Sequence, residues 1–224
     1  MESIATGVYQ VTKGVNAFII DGDEGVVLVD TGLPKGQGAI VEALADIGRS
    51  VKDITAILLT HGHVDHVGGA AALQSASGAS VYASQLDAPI AQGDRPTPPP
   101  PFIERIPILP TLLNLLPSAA PVIVDHIVTE GITDNLPADI TVIDTPGHTT
   151  GHVAYLLDRD GGILFAGDAA VGSHGDVKRG WFNRKTDAID ASIHHLGSKT
   201  FDIACFGHSG PITGYASVAF QRFD

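Results

Sequence analysis

Four side chains able to bind a cation fall within six residues in His61-Gly62-His63-Val64-Asp65-His66. A divalent metal takes imidazole and carboxylate ligands at about 2.0–2.2 Å and needs four or more of them. His61 and His63 lie two apart on what reads as an extended loop, so both rings can face one way. Asp65 and His66 open the next turn and point to a neighbouring position. Buried in a core, each of the four would need its own partner or carry a desolvation penalty. A solvated polar loop with incidental histidines fits less well, because imidazole is the commonest metal ligand. Three more candidates follow predicted strands: His148 in Asp144-Thr145-Pro146-Gly147-His148, Asp168 in Ala166-Gly167-Asp168, and His208 in Gly207-His208. Each alone reads as a surface loop residue. With the first cluster they make seven ligands, which suits two divalent metal ions. The histidine-rich, oxygen-completed set favours zinc, and its chemistry also accommodates iron or manganese.

The elements that must position these residues alternate between strand and helix. Apolar runs at Val8–Val11, Ala17–Ile20 and Val26–Val29, separated by Lys13-Gly14 and Asp21-Gly22, predict short strands. Ile40, Val41, Leu44 and Ile47 recur at helical spacing, and Gly48 is a stop signal. Ile54–Leu59 reads as a buried strand that ends at the histidine cluster. Asp65 onward predicts a helix through Leu73, and Ser80–Ala83 another strand. After residue 135 the pattern resumes. Strands are expected at Ile140–Ile143, Val153–Leu157 and Ile163–Phe165, a helix near Asp187–Leu196, and a last strand at Phe201–Phe206. Strands alternating with helices give an α/β layered fold. Residues 92–135 interrupt it, with Pro96, Pro98–Pro101 and a crowd of apolar residues from Ile106 to Leu116. That segment is too rich in proline for a central sheet.

The chain has 224 residues, a formal charge of −12, and 44 % hydrophobic against 17 % charged residues. This suits a single domain over 1–224 with a real core, and excludes disorder, collagen and coiled coil. The negative balance argues against nucleic acid and against an anionic membrane surface. Ile108–Val124 is broken by Pro110, Pro117 and Pro121 and cannot span a bilayer. Cys205 has no partner for an intrachain disulfide, and Met1-Glu2-Ser3-Ile4 lacks the basic start of a signal peptide. The expectation is a soluble cytoplasmic protein acting on a small molecule.

The H-x-H-x-D-H motif, followed in order by His148, Asp168 and His208, resembles the metallo-β-lactamase-fold hydrolase superfamily over nearly the whole length, residues 92–135 least. The resemblance implies a four-layer αββα sandwich with two metals at one edge between the sheets. It implies His61, His63 and His148 on the first metal, Asp65, His66 and His208 on the second, and Asp168 bridging both. Asp30, in Leu28-Val29-Asp30-Thr31-Gly32, is similar to the family's aspartate that steadies the histidine loop; it also reads as a plain turn residue before a helix.

Such a site implies a metal-bridging hydroxide that attacks a carbonyl carbon or a phosphorus. Asp65 is a candidate catalytic acid for the leaving group. Because the family's true β-lactamases lack the bridging aspartate, Asp168 points to a hydrolase of esters, lactones or thioesters, with β-lactamase activity minor at most. Alternatives are a phosphodiesterase or an iron sulfur dioxygenase of the same fold; the complete second ligand set disfavours the latter. Thr145 to His152 is similar to glyoxalase II. Yet only 16 residues follow His208, with Arg222 their one basic residue, which disfavours a glutathione thioester.

Leu112, Leu113, Leu115 and Leu116 read as an apolar lid, a local core or a homodimer contact. Residues 172–184, with His174, Lys178, Arg179, Trp181 and Arg184, read as a basic loop that is either solvated or holds a substrate anion. His152 is expected near the site without ligating. His194 and His195 are expected on a solvated helix face, Cys205 as a buried small hydrophobe, and Tyr155 and Tyr215 as packed side chains.

Overall fold

The computed structural model describes residues 1–96, 119–131, 136–137, 139–180, 182–183 and 186–224. Pro98–Pro101, the leucines from 112 to 116, Trp181 and Arg184 lie outside them, so the lid and dimer-contact readings do too.

Two sheets form the centre. The first has seven strands in chain order, β1 (Glu2–Ala5), β2 (Val8–Thr12), β3 (Asn16–Gly22), β4 (Gly25–Val29), β5 (Ile54–Leu58), β6 (Ser80–Ser84) and β7 (His126–Val128). The second runs β14 (Ile212–Thr213), β13 (Ile203–Cys205), β10 (Ile163–Phe165), β9 (Val153–Leu157), β8 (Ile140–Asp144). A hairpin of β11 (Ala170–Ser173) and β12 (Asp176–Arg179) stands apart. Helices are α1 (Gly38–Asp46), α2 (Val64–Val67), α3 (Ala70–Ser77), α4 (Ala88–Ala91), α5 (Thr186–Gly197) and α6 (Ala216–Gln221).

Side chains alternate across a strand, and here both faces are apolar. On β3, Phe18 and Ile20 meet the second sheet, while Ala17 and Ile19 pack under the helices on the other side. On β10, Ile163 and Phe165 face the first sheet and Leu164 faces α5 and α6. Three cores follow: α1, α3 and α4 on the first sheet, sheet on sheet, and α5 and α6 on the second. That stacking is the four-layer αββα sandwich. Phe18 and Phe165 meet across the middle with ring centroids 5.2 Å apart, a pair worth about 0.5–1.5 kcal/mol beyond its buried area.

The predicted strands and helices stand within a few residues of their expected bounds, but the structure differs in several places and adds β1, β7 and α4 where no element was expected. The helix expected from Asp65 through Leu73 is two, α2 and α3, parted at Gly68-Gly69. Residues 170–179 form a hairpin rather than a loop. The strand at Phe201–Phe206 is not the last element, since β14 and α6 follow it. Residues 126–128, near the end of the proline-rich segment, form β7 at the edge of the first sheet, parallel to β6.

Candidate metal centre

The candidate ligands come from strand ends of both sheets. β4, β5 and β6 run parallel, so their carboxyl ends share one edge. Asp30 follows β4, Thr60 to His66 follow β5, and Asp87 follows β6. In the second sheet β8 and β10 both run antiparallel to β9, and β13 parallel to β10. Their carboxyl ends therefore also share an edge, where His148, Asp168 and His208 lie. The crevice beyond carboxyl ends is where open α/β sheets place ligands.

All seven side chains singled out from the sequence meet there. His61 Nε2 and His148 Nε2 stand 3.0 and 2.9 Å from His63 Nδ1. His208 Nε2 lies 3.3 Å from Asp65 Oδ2. Asp168 reaches both groups: Oδ2 is 3.4 Å from His148 Nε2 and 3.3 Å from His208 Nε2, and Oδ1 is 3.5 Å from His66 Nε2. Three overlapping sets, His61–His63–His148, His61–His66–Asp168 and Asp65–His66–His208, each keep their ligand atoms within 4.8 Å of one another.

A hydrogen-bond relay decides which ring nitrogens are bare. Asp30 is buried and accepts from the Thr60 N–H at 2.9 Å, the Thr60 hydroxyl at 2.7 Å and His66 Nδ1–H at 2.7 Å. The Thr60 hydroxyl proton is thereby used, so Thr60 Oγ1 accepts His61 Nδ1–H at 3.0 Å. His61 is left with an Nε2 lone pair facing the cluster, and His66, whose Nδ1–H is held by Asp30, offers Nε2 as the only ring nitrogen a cation could take in place of a proton; a carboxylate can only accept, so the network fixes both orientations. Asp30 thus takes the steadying role that the resemblance implied rather than that of a plain turn residue.

Burial pushes the His61 imidazole well below its ordinary pKa, helped by its histidine neighbours, and pushes His63 down to about 3. His148 is lowered mainly by burial as well. The other half behaves oppositely. Burial works against a charged His66, but Asp168 and Asp30 outweigh it and hold its pKa well above the ordinary value. Hydrogen bonds to Asp168 and Asp65 raise His208 to about 9. Burial would raise Asp65, yet His208 and His66 bring it down to about 2, and the same histidines hold Asp168 well below the carboxylate range. One half is therefore a nest of neutral imidazoles and the other a set of ion pairs.

His66 Nε2 and Asp168 Oδ1 are buried without a hydrogen-bond partner. They face each other at 3.5 Å, an ion pair too long for a good hydrogen bond, with room for a cation to satisfy both. Bare nitrogens and carboxylate oxygens converging without a thiol fit a divalent cation of borderline or hard character.

Other side chains support the ligands, and of these Asn16 and Asp87 were not legible in the sequence. His152, expected near the site, is buried; its Nε2 accepts the Asp168 N–H at 3.1 Å, and its Nδ1–H is given to Thr145 Oγ1 at 2.7 Å. Asn16 Nδ2 donates to Phe206 O and Ser209 O, both at 2.8 Å, and so pins the His208 loop to β3. Asp87 joins two ligand loops through Gly62 and Thr149. Tyr155 packs as expected, its hydroxyl donating to Leu59 O at 2.9 Å, and Cys205 is buried. Tyr215 does not pack: it is 75 % exposed ahead of α6. Arg179 turns away to a two-pronged ion pair with Asp190 at 2.5 and 2.7 Å. His194 is exposed, and His195 is half-buried with Nε2 2.7 Å from Glu130. Among the described residues no helix is long and apolar enough to cross a membrane.

The sequence model of the Metallo-beta-lactamase superfamily matches residues 12–210. The Bacillus subtilis (strain 168) protein named "Probable metallo-hydrolase YflN" is 30 % identical over 84 % of this chain and 76 % of its own length. A hydroxyacylglutathione hydrolase of Halorhodospira halophila is also 30 % identical, over 88 % of this chain; the chain spans only 57 % of that relative. Among solved structures, a metallo-beta-lactamase family protein from Thermus thermophilus superposes with a TM-score of 0.72 at 25 % identity, covering 98 % of this chain and 78 % of the other.

Proposed function

The chain belongs to the metallo-beta-lactamase superfamily, and from that footing we propose that it holds two divalent cations, zinc first, and hydrolyses a small ester, lactone or thioester. The observation that carries this reading is Asp168, whose one carboxylate reaches the three-imidazole group and the Asp65–His66–His208 group at 3.3–3.5 Å. His61, His63 and His148 would hold one cation, Asp65, His66 and His208 the other, and Asp168 would give an oxygen to each. Bound there, the cations supply Lewis acidity at the substrate oxygen and lower the pKa of water.

The chain's own residues do the rest. Asp30 and Thr60 keep the His61 and His66 lone pairs aimed at the cations. Asp65 is half-buried and ionised at neutral pH, so it is placed to take the proton of the attacking water and pass it to the leaving group. A charge of −12 disfavours a polyanionic substrate, and the relatives' printed names are those of hydrolases. The name hydroxyacylglutathione hydrolase, borne by one of them, supports carbonyl over phosphodiester chemistry.

The test is turnover by zinc-loaded protein of an acyl-homoserine lactone, a matched acyl thioester and an aryl phosphodiester, with a penicillin alongside. Lactone or thioester should win. Asp168→Ala should lower metal content and reduce kcat/KM by more than about 100-fold, roughly 2.7 kcal/mol or more. Preference for the phosphodiester, or oxygen uptake with a persulfide by iron-loaded protein, overturns the carbonyl reading. Unchanged activity in the alanine variant removes Asp168 from the mechanism.

A further inference from the structure

Asp87 sits where β6 turns into α4. It belongs to neither loop that carries the first set of imidazoles, yet it bonds to both. Its side chain is buried, and Oδ2 accepts the Gly62 N–H at 3.1 Å and the Thr149 hydroxyl at 2.6 Å. Gly62 separates His61 from His63, and Thr149 follows His148. One carboxylate oxygen therefore ties a loop of the first sheet to a loop of the second, behind the three rings that converge at 2.9–3.0 Å.

The packing leaves no slack at this corner. A Cβ on Gly62 would lie 2.8 Å from the Cβ of Ile90, and one on Gly151 would lie 2.7 Å from the Cβ of Leu86 and 2.9 Å from the Asp87 nitrogen. The corner from Ser84 to Ala91 thus meets both loops backbone to backbone. Asp87 Oδ1 makes no hydrogen bond of ordinary geometry. Burial raises the Asp87 pKa against the pull of Thr149, Gly62 and Gly151. An apolar side chain of similar size would avoid burying a charge but leave the buried Gly62 N–H and Thr149 hydroxyl without an acceptor, so the carboxylate is what joins the two loops.

We propose that Asp87 is a positioning residue for the His61–His63–His148 group: it sets the separation of the two loops so that three ring nitrogens face one cation. The inference rests on the two-cation reading above. Groups behind a metal's ligands that fix their orientation typically change affinity by about 10–100-fold when removed.

The experiment uses cobalt(II) as the probe. A His208→Ala background weakens the second site, so titration there reports on the three-imidazole site. In that background Asp87→Ala and Thr149→Val should bind cobalt about 10–100-fold more weakly and shift its visible absorption bands. Asp87→Asn keeps an acceptor for both donors but turns an NH2 toward Gly151, so its affinity should fall between wild type and alanine. Cation-free Asp87→Asn should melt no lower than wild type at neutral pH, a combination that a merely structural residue would not give. Wild-type affinity and spectra in both Asp87→Ala and Thr149→Val overturn the positioning role, as does a loss of affinity that only tracks a lower melting temperature in all three. Wild-type protein that takes up no cobalt overturns the metal reading itself, and this inference with it.

Discussion

Asp30 shows how much one side chain can decide. Its two oxygens accept three protons, from the Thr60 amide, the Thr60 hydroxyl and His66 Nδ1. Asparagine has the same shape, but one oxygen becomes an NH2 that must face a donor. If the NH2 takes the Oδ2 position it confronts the Thr60 hydroxyl and the His66 ring together. His66 can then carry its proton on Nε2, aimed into the site. Asp30→Asn should therefore weaken zinc binding by about 10–100-fold, read by competition with a chelator, while Thr60→Ser should leave it near wild type. Asp87 poses a different residue-scale question. Burial raises its folded pKa above the ordinary 3.8, so the folded state binds this proton more readily than the unfolded chain. The stability that proton contributes is complete below about 3.8 and is lost as pH rises through the folded value. Asparagine does not titrate. The melting temperature of cation-free Asp87→Asn relative to wild type should rise between pH 4 and 7, and a constant difference would refute the linkage.

At the scale of elements, the strands that carry the site were readable because they are short apolar runs ending in Asp30, Thr60, Asp144, Ala166 and Phe206. The ligands were readable because the family motif places them just past those ends. Asp87 and Asn16 were not, because their partners lie 25 and 62 residues away for Asp87, and 190 and 193 for Asn16. No local pattern encodes such contacts. The hairpin of β11 and β12 was missed for a different reason. Its strands are half-polar, and its turn has His174 and Gly175 both at positive φ, +55° and +86°. Two-residue turns of that kind are normally signalled by Asn-Gly or Asp-Gly, and histidine hides the signal. The left-handed conformation costs an L-residue about 1–2 kcal/mol, and a β-branched side chain fares worst there. His174→Val should lower the unfolding free energy by about 1 kcal/mol or more in urea, and His174→Asn should leave it unchanged or slightly higher. Equal effects would mean that the turn relaxes to another form.

At the scale of the whole molecule, the site is a seam. His61, His63, Asp65 and His66 hang from the first sheet, and His148, Asp168 and His208 from the second. The sheets already share a large apolar interface, a core that does not use the site's residues. A bound cation nonetheless adds ties across the edge where that interface is most polar, and the unfolded chain has no preformed site to compete for it. Binding to the folded state alone raises stability by about 2.7 kcal/mol at a free concentration 100 times Kd. A chain of this size gains roughly 2–4 °C per kcal/mol, so each cation bound at 100 times its Kd should raise the melting temperature by about 5–11 °C, reversibly on chelation. Asp168→Ala should lose most of that shift, because the residue that reaches both groups is gone. His174→Val, outside the cluster, should melt lower yet keep the full shift. If the alanine variant keeps the full shift as well, the cations do not share a ligand at Asp168, and the two groups act as separate sites.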